Sequence, residues 1–484
     1  MNYKLCLYLP FILFYVNSFT QNNQVLYDFD QLPQTLLLNP GAEVDYDKHL
    51  GVPFLSNVYF EIGASNKDIT YNNIIAPSDS AEDVLRNVYN QNLSNNDVFL
   101  INQRMEFLSA GLRLKNPKYY LSFGMYQETE GFANYPVDLA NLYFKGDDQN
   151  DDGVPEYGNP FSFAPLNFVG ELVGVYHIGI SKTINENLTI GARVKLLSGS
   201  LNLSTKNNSG EYDLSSSIFG NHHNFNDMNL IINSSGLINP EGTERIATSS
   251  TAFKGLFFAG GNFGLGFDLG LTYHVSEKVT VTGSIRDLDF INYSNEVVTY
   301  QFNEDFILDD DTYFDPTEGD ELNYWEDKFN EDYNNGLIPI DTIQTSYNIG
   351  RSPKLNGSVK YKLRDRRKSR SSSGNSAFRN VACDAGNTGD VLSSEVGIQL
   401  YANIKPNSTL WAITTFYSRE LSKSVNAKVT YTYDEFSAKN IGLGISAHIK
   451  DFNIYATADN LLALPKLKDS NYQSFQFGMN FIFN

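Results

Sequence analysis

Apolar and polar residues alternate along the C-terminal end of the chain. Phe475, Phe477, Met479, Phe481 and Phe483 occupy the odd positions, and the even positions from 474 to 480 are Ser, Gln, Gly and Asn. Successive side chains of a β-strand point to opposite faces, so this segment predicts a strand with one apolar face. In water such a face would aggregate, whereas a closed barrel in lipid satisfies it. A buried edge strand of a soluble sandwich is the alternative.

The same alternation recurs throughout the chain. In 188–196, Leu, Ile, Ala, Val and Leu alternate with Thr, Gly, Arg and Lys. We therefore predict an all-β fold, a transmembrane antiparallel β-barrel of about 14 strands, with 12 or 16 left open. The predicted strands lie near 57–65, 104–114, 119–127, 171–183, 188–204, 263–274, 278–287, 355–364, 394–404, 410–418, 424–433, 439–449, 452–459 and 474–483.

The connections between these strands alternate in length through the first half of the chain. Tight turns near 115–118, 185–187 and 276–277 predict one end of the barrel. Long connections predict extracellular loops at the other end. This alternation of short and long connections weakens at 365–393. Counting the strands places this long connection at the periplasmic end, where short turns are expected, so either this loop is periplasmic or a strand is miscounted. The predicted barrel is 57–484, and its long loops are 66–103, 128–170, 205–262 and 288–354.

Composition and charge agree with an exported β-protein. The chain has 30 Tyr and 34 Phe in 484 residues, and aromatic residues suit pleated, half-buried surfaces. Its net charge of −20 argues against nucleic acid as a partner.

The first residues predict targeting. Lys4 precedes an apolar run over 5–16, too short to span a bilayer as a helix, so 1–20 predicts a signal peptide cleaved near Thr20 and Gln21. Cys6 lies too early to carry a lipid anchor. The mature chain would then keep one cysteine, Cys383, which cannot form an internal disulfide. The predicted location is the bacterial outer membrane.

The next segment, 21–56, is rich in apolar residues but precedes the first clear strand. Pro33, Pro40 and Pro53 interrupt any continuous strand or helix. Left in water, its leucines would form an exposed apolar patch. We therefore expect a plug inside the barrel or a periplasmic lead-in that docks on a partner.

The polar faces of the predicted strands place several basic residues in the lumen. A lumen residue paired with a neighbouring carboxylate is the simpler interpretation of each, and contact with a passing ligand is the alternative. The predicted lumen-lining residues are Arg193, Lys195, Arg286, Lys428 and His448.

The sharpest local motif is Asp-Gln-Asn-Asp-Asp-Gly-Val-Pro-Glu at 148–156. Oxygen side chains at positions 1, 3 and 5 followed by Gly at 6 suit a calcium loop. The usual Glu at position 12 is absent, because Asn159 stands there. Calcium, held by Asp148, Asn150, Asp152 and Glu156, is therefore one interpretation, and a plain Asp/Asn/Gly turn is the other.

Little in the sequence predicts catalysis. The six histidines show no H-E-x-x-H spacing, and neither a G-x-S-x-G elbow nor a phosphate-binding loop occurs. We expect no enzyme activity, with an outer-membrane hydrolase as the remote alternative, and no cofactor beyond calcium.

Several segments resemble a known family. The stretches 32–42 and 51–56, together with 121–126, 286–291 and 458–462, resemble an uncharacterised Bacteroidota outer-membrane β-barrel family, a domain of unknown function. Asn39 and Pro40 also resemble the Asn-Pro-Ala element near the start of fatty-acid-transporter-like barrels, whose N-terminal segment plugs the lumen. Gly41 intervenes here before Ala42, a departure from that element. The resemblance brings no catalytic residues.

The function expected from these observations is a channel or transporter for a small or hydrophobic molecule. The alternative is an accessory or scaffold subunit of an outer-membrane complex, for type IX secretion or barrel assembly. The expected partners are outer-membrane lipid and the barrel-assembly machinery, which would recognise Phe475, Phe477, Phe481 and Phe483 in the last strand.

Overall fold

The computed structural model describes residues 24–70, 72, 81–91, 93–150, 152–218, 220–238, 249–259, 261–310, 312–316, 321–364, 392–405, 408–434, 436 and 440–483. The predicted signal peptide, both cysteines and most of the 365–393 connection lie outside these residues.

Fourteen antiparallel strands of the described chain form one closed barrel. Each pairs with its neighbours in sequence, and the last strand pairs with both pieces of the first, Lys48 opposite Phe483 and Val58 opposite Phe477. The prediction of fourteen strands is confirmed, and closure leaves no free sheet edge in the membrane. The strands are β1 (Lys48–Gly51 and Val58–Ala64), β2 (Val98–Arg113), β3 (Tyr119–Asn134), β4 (Phe168–Asn185), β5 (Leu188–Thr205), β6 (Asn262–His274), β7 (Val279–Tyr293), β8 (Tyr347–Gly350 and Lys354–Arg364), β9 (Ser394–Lys405), β10 (Ser408–Ser422), β11 (Val425–Asp434), β12 (Asn440–Ile449), β13 (Phe452–Ala458) and β14 (Tyr472–Phe483).

The barrel is apolar outside and polar inside. On β5, Val194 and Leu196 are each 42% exposed, whereas the alternate residue Lys195 is 0% exposed. A soluble protein would reverse this pattern, because exposed apolar area is unfavourable in water. The fold is therefore that of an outer-membrane β-barrel with a lipid-facing wall and a packed polar lumen.

The long connections between β1 and β8 lie at one end of the barrel. Strands β2, β3 and β7 are longer at the loop end than the alternation indicated, so the loops are shorter than expected. Because fourteen strands are present, parity places the 365–393 connection at the end of the short turns. No described helix is long and apolar enough to cross a membrane. The helices are α1 (Thr35–Leu38), α2 (Ala81–Tyr89), α3 (Val137–Lys145), α4 (Ser249–Lys254), α5 (Glu321–Asn334) and the 3₁₀ segment Leu461–Asp469.

A small domain, here called the cap, covers the loop end. It is built from the described residues of 135–167, 206–238 and 294–346. Short antiparallel strands pair within it and enclose their own apolar cluster, which includes Phe161, Tyr212 and Phe225. The cap strands are Phe161–Ser162, Ser209–Ser217, Gly220–Ser235, Val297–Phe302, Phe306–Asp310 and Ile340–Ile343.

Candidate functional site

Residues 24–47, here called the plug, lie inside the barrel at the end of the short turns. Three consecutive leucines of α1 pack into three different apolar clusters. Leu36 joins Tyr46 and Tyr120, Leu37 joins residues of β4, β5 and β7, and Leu38 joins Tyr455 and the plug's own Phe29. Because the prolines keep the segment short and irregular, its side chains leave in several directions. The apolar residues that the sequence left without a strand are thus buried in the lumen.

Lumen-facing side chains hold the plug through its main chain. The guanidinium of Arg193 donates to the carbonyls of Leu36 and Leu37 at 3.0 and 2.7 Å. The Lys428 ammonium and the Gln399 amide both donate to the Tyr27 carbonyl. These barrel side chains bind main-chain carbonyls of the plug. They therefore fix the path of the plug backbone and place little constraint on which side chains the plug carries.

Asn39, Pro40 and Gly41 rest on a glycine seat in the wall. Gly191 of β5 and Gly270 of β6 are opposite each other in the ladder. A Cβ on Gly191 would lie 1.9 Å from the Pro40 carbonyl oxygen, and a Cβ on Gly270 would lie 2.0 Å from the Asn39 side-chain oxygen. Only glycine permits this approach. Asn39 itself accepts from the Gly41 amide at 2.9 Å and closes the turn.

Charged plug residues add ion pairs near the short-turn end. The Lys360 ammonium lies 2.6 Å from Asp30 and 3.8 Å from Asp28. Glu43 contacts the His274 ring at 2.9 Å and accepts from the Thr189 hydroxyl at 2.8 Å. A polar cavity of about 340 Å³ opens beside these residues, between the plug and strands β2 to β5.

An ion network crosses the lumen between the plug and the cap. At its centre the Lys195 ammonium lies 2.9, 2.7 and 2.8 Å from the carboxylates of Asp268, Asp287 and Asp289. Arg193 pairs with Asp268 at 2.6 Å. The oxygens of these three carboxylates converge within 4.8 Å, the geometry of a metal site, but the ammonium already supplies the cation.

A β-bulge makes this centre possible. Asp287 has φ +61°, and the ladder between β6 and β7 slips there, so that Arg286 and Asp287 together oppose Asp268. The extra residue puts consecutive side chains on the lumen side. The Asp287 amide donates to the Asp268 carboxylate at 2.7 Å, which compensates for the lost ladder bond.

The second half of the network is centred on Arg351, in the break between the two pieces of β8. Its guanidinium contacts Glu171 at 2.5 Å, Asp289 at 3.4 Å, and both Glu128 and Glu130 at 3.6 Å. Lys354 links the two halves through Glu130 and Asp287, each at 3.1 Å. In the described lumen the network joins six cations to six carboxylates: Arg104, Arg193, Lys195, Arg351, Lys354 and Lys405, with Glu128, Glu130, Glu171, Asp268, Asp287 and Asp289.

The five residues predicted to line the lumen occupy different settings. Arg193 and Lys195 pair with carboxylates, the simpler interpretation of each. Arg286 instead donates to the Asn356 side-chain oxygen at 3.2 Å, and Lys428 lies 4.2 Å from the centroid of the Phe416 ring. His448 is half-buried on the inward register of β12. The acidic partners were not predicted from the sequence. The available signal was the acidic residues two positions apart in one strand, at 128 and 130 and at 287 and 289, which share a strand face.

The predicted calcium loop lies on the cap. The Asp148 carboxylate accepts from the amides of Asp152 and Gly153 at 3.1 and 2.6 Å, and Glu156 accepts from Gln149 at 2.6 Å and from the Asn150 side chain. These bonds suit an Asp-centred turn, so the loop holds its shape by itself. Calcium binding stays a prediction. If it occurs, calcium should protect this loop from protease relative to chelator, and the double variant Asp148→Ala, Asp152→Ala should lose that protection.

Beside this loop, a buried polar cluster ties three cap segments together. The Tyr212 hydroxyl donates to Asp147 at 2.9 Å and contacts the His223 ring at 2.8 Å, and the Phe314 amide donates to the same carboxylate at 2.9 Å. Burial raises the pKa of the Asp147 carboxyl to about 6, and the two hydrogen bonds oppose this only partly. Burial also lowers the pKa of His223.

The raised pKa of Asp147 predicts how cap stability depends on pH. A carboxyl whose folded-state pKa exceeds its unfolded value stabilises the fold below the unfolded value, and this stabilisation is lost as pH rises through about 6. The neutral His223 acts in the opposite direction, so the Asp147→Asn variant is needed to isolate the carboxyl. Relative to that variant, the wild-type cap should lose roughly 2–3 kcal/mol between pH 4 and pH 7.

Hydrogen exchange of the cap amides across this pH range measures the effect. Asp227→Asn, at an exposed carboxylate of the same cap, is the matched control and should follow wild type. Parallel profiles for wild type and Asp147→Asn would exclude the assignment.

The aromatic residues of the last strand share its outer face. Phe475 and Phe477 are half-buried, and Phe481 and Phe483 are exposed, while the intervening residues of β14 point inward. The inward Asn480 exchanges hydrogen bonds with Gln34 of the plug at 2.9 and 3.0 Å. One strand thus presents aromatic rings to lipid and amides to the plug.

Three solved structures show similarity to the chain. The Ralstonia pickettii toluene transporter TbuX matches at 10% identity and a TM-score of 0.40, over 97% of this chain and 100% of that one. A Pseudomonas aeruginosa FadL homologue matches at 10% identity and 0.43, over 97% and 99%. The P. putida toluene transporter TodX matches at 10% identity and 0.35, over 96% and 94%.

No curated protein matched the chain significantly. The model of a protein family described as a family of unknown function (DUF5723) matches residues 40–459. This range includes Gly191 and Gly270 of the glycine seat and thirteen of the fourteen strands. The family expected from the resemblance is thereby confirmed: the chain belongs to the DUF5723 family, a family of unknown function.

Proposed function

We propose that the protein is a plugged outer-membrane channel or transporter for a small hydrophobic molecule. The observation that carries this proposal is the placement of Leu36, Leu37 and Leu38 in three separate apolar clusters of the lumen. If the plug moved, those clusters would offer apolar surface to a ligand of similar size. A barrel that only spans the membrane can fill its lumen with strand side chains alone.

The anchoring of the plug supports the same proposal. The bonds from Arg193, Lys428 and Ser284 to plug carbonyls are polar, and water or a ligand can replace them. The plug has no strand pairing with the wall before Asp47, whose main-chain hydrogen bonds with Phe483 and Arg113 lead into β1 at Lys48. Its release would therefore leave the barrel ladder unbroken.

The alternative is a closed scaffold subunit of an outer-membrane secretion or barrel-assembly complex. The ion network favours it, because six cations and six carboxylates joined across the lumen stiffen the barrel, and a network that stays closed without the plug would block a conduit. In that case residues 24–47 would only complete the packing, and the protein would act through surfaces that contact a partner.

Ion conductance in planar bilayers separates the two functions. The wild-type barrel should show little conductance. Deletion of residues 24–38 should open it, because the deletion removes both the plug carbonyls that bind the wall and the leucines that fill the apolar clusters. A deleted barrel that still folds, judged by heat-modifiable migration, yet stays silent would contradict the channel and favour the scaffold.

A reversible lock provides the control without a deletion. The Thr282 hydroxyl donates to the Asp28 carboxylate at 3.1 Å, so Asp28→Cys with Thr282→Cys is the cysteine pair to test for a disulfide between the plug and β7, in a Cys383→Ser background. Channel openings of this variant should vanish when the two cysteines are oxidised to a disulfide and should return when the disulfide is reduced. Openings that ignore the redox state would show that the plug is not the gate.

We further infer that residues 1–20 direct export and are removed near Gln21. The mass of the protein extracted from membranes tests this. A mature form that retains Met1 would contradict it.

A further inference from the structure

Residues 249–259, here called the strap, lie against the outside of the barrel wall. The strap consists of α4 and an irregular turn, Gly255–Ala259. The Ser198 hydroxyl of β5 donates to the Gly255 carbonyl at 2.5 Å and accepts from the Phe258 amide at 2.9 Å. Ser198 shares the outer face with Val194 and Leu196, yet it is 0% exposed. The strap therefore covers the lipid side of the wall.

The strap rests on a row of small and polar wall residues. Gln127 of β3 pairs with Gly174 of β4, which pairs with Ser198 of β5. A Cβ on Gly174 would lie 2.2 Å from the Leu256 carbonyl oxygen, so the glycine permits the contact. Gln127 is buried and bonds to Gln103 on the same face. Polar groups open to hydrocarbon are costly, and the strap shields this row.

The outer surface of the strap is aromatic. Phe253, Phe257 and Phe258 are 52%, 44% and 39% exposed. Phe257 stacks on the wall residue Phe107 at 6.1 Å, and Phe258 lies 6.2 Å from Phe263, which points outward from β6. The strap thus continues the apolar surface of the wall. Its seat at Ser198 begins two residues beyond Leu196, towards the loop end.

We propose that the strap is a membrane-interface element whose phenylalanines contact the acyl chains of outer-leaflet lipid. Its continuity with the lipid-facing wall selects lipid as the partner, since three adjacent exposed rings would be unfavourable in water. Aromatic residues are also favoured where a barrel leaves the hydrocarbon layer. The 206–261 connection, whose described residues between 206 and 238 belong to the cap, is thereby tied to the bilayer. This inference depends on the orientation of the wall and not on transport.

Tryptophan fluorescence in reconstituted vesicles tests the contact. The background is Trp411→Phe, which removes the lipid-facing tryptophan of β10 and leaves the buried Trp325 as a constant signal. Phe257→Trp then reports on the strap, in phosphatidylcholine brominated on its acyl chains and with iodide in the water. The bromolipid should quench it to at least half the extent seen for Phe267→Trp on the lipid face of β6, and iodide should have little effect.

Ile307→Trp, exposed on the cap, is the opposite control and should respond to iodide only. A strap tryptophan that behaves like Ile307→Trp would overturn the proposal. Insensitivity to both quenchers would overturn it as well, because the ring would then contact protein. Should Phe257→Trp fail to fold, Phe253→Trp on the same surface carries the same readout.

Discussion

Replacing Lys195 by Met should lower the free energy of unfolding of the barrel by about 3–5 kcal/mol. Met keeps most of the side-chain length but removes the ammonium that lies within 2.9 Å of all three buried carboxylates. Asp268, Asp287 and Asp289 would then repel one another in a region from which water is largely excluded. Each of them keeps another cation, Arg193, Lys354 or Arg351, so the network should weaken without collapsing.

Urea unfolding in lipid vesicles, followed by heat-modifiable migration, measures this loss. Adding Asp287→Asn to Lys195→Met should recover part of it, because one unbalanced charge disappears. Lys450→Met, at an exposed lysine in a short turn, is the matched control and should stay within about 0.5 kcal/mol of wild type. A Lys195→Met variant as stable as that control, or a double variant no better than the single one, would refute the assignment.

Replacing Phe477 by Arg should cost about 2–4 kcal/mol of stability and should also reduce assembly in the cell. The stability cost arises because the guanidinium would face hydrocarbon near the middle of β14. Val429→Arg, on the exposed face of β11, should carry a similar cost in vitro. The two variants differ in one respect, since only Phe477 belongs to the last strand, which we expect the assembly machinery to recognise.

The comparison of the two variants therefore separates lipid contact from recognition. If the last strand is the signal, Phe477→Arg should leave much less membrane-inserted protein in cells than Val429→Arg, despite equal stability after refolding into vesicles. Equal losses in cells would leave Phe477 with a lipid-facing role alone, and the hypothesis of an assembly signal would be dropped.

The strands and their faces were predictable because the side-chain period of a strand is local. In β5 the alternation that predicted Arg193 and Lys195 in the lumen is the alternation that the structure has. The fourteen strands follow in the same way, since each is a short segment with its own period. The ends of the strands were less predictable, because the two faces no longer differ in polarity there. In the added part of β7, Phe290 faces outward while Ile291 and Tyr293 join an apolar cluster inside the barrel.

The partners of those residues were not predictable from any local pattern. Lys195 meets Asp287 across 92 positions of sequence, and the bulge that turns Asp287 inward has no distinctive residue type. The path of the plug depends equally on two distant glycines, Gly191 and Gly270. Their role is visible only in the tertiary structure, where Pro40 and Asn39 lie against them.

By itself the sequence determined a closed β-barrel with an apolar outside, because period-2 alternation and aromatic content are properties of neighbouring residues. Only the tertiary structure decided what fills the barrel and what covers it. The plug takes its place because its leucines find apolar clusters built by strands far apart in the chain. The strap lies outside the wall because Gly174 and Ser198 leave room and hydrogen bonds for it. Such contacts depend on which strands become neighbours when the barrel closes, and no local period contains that information.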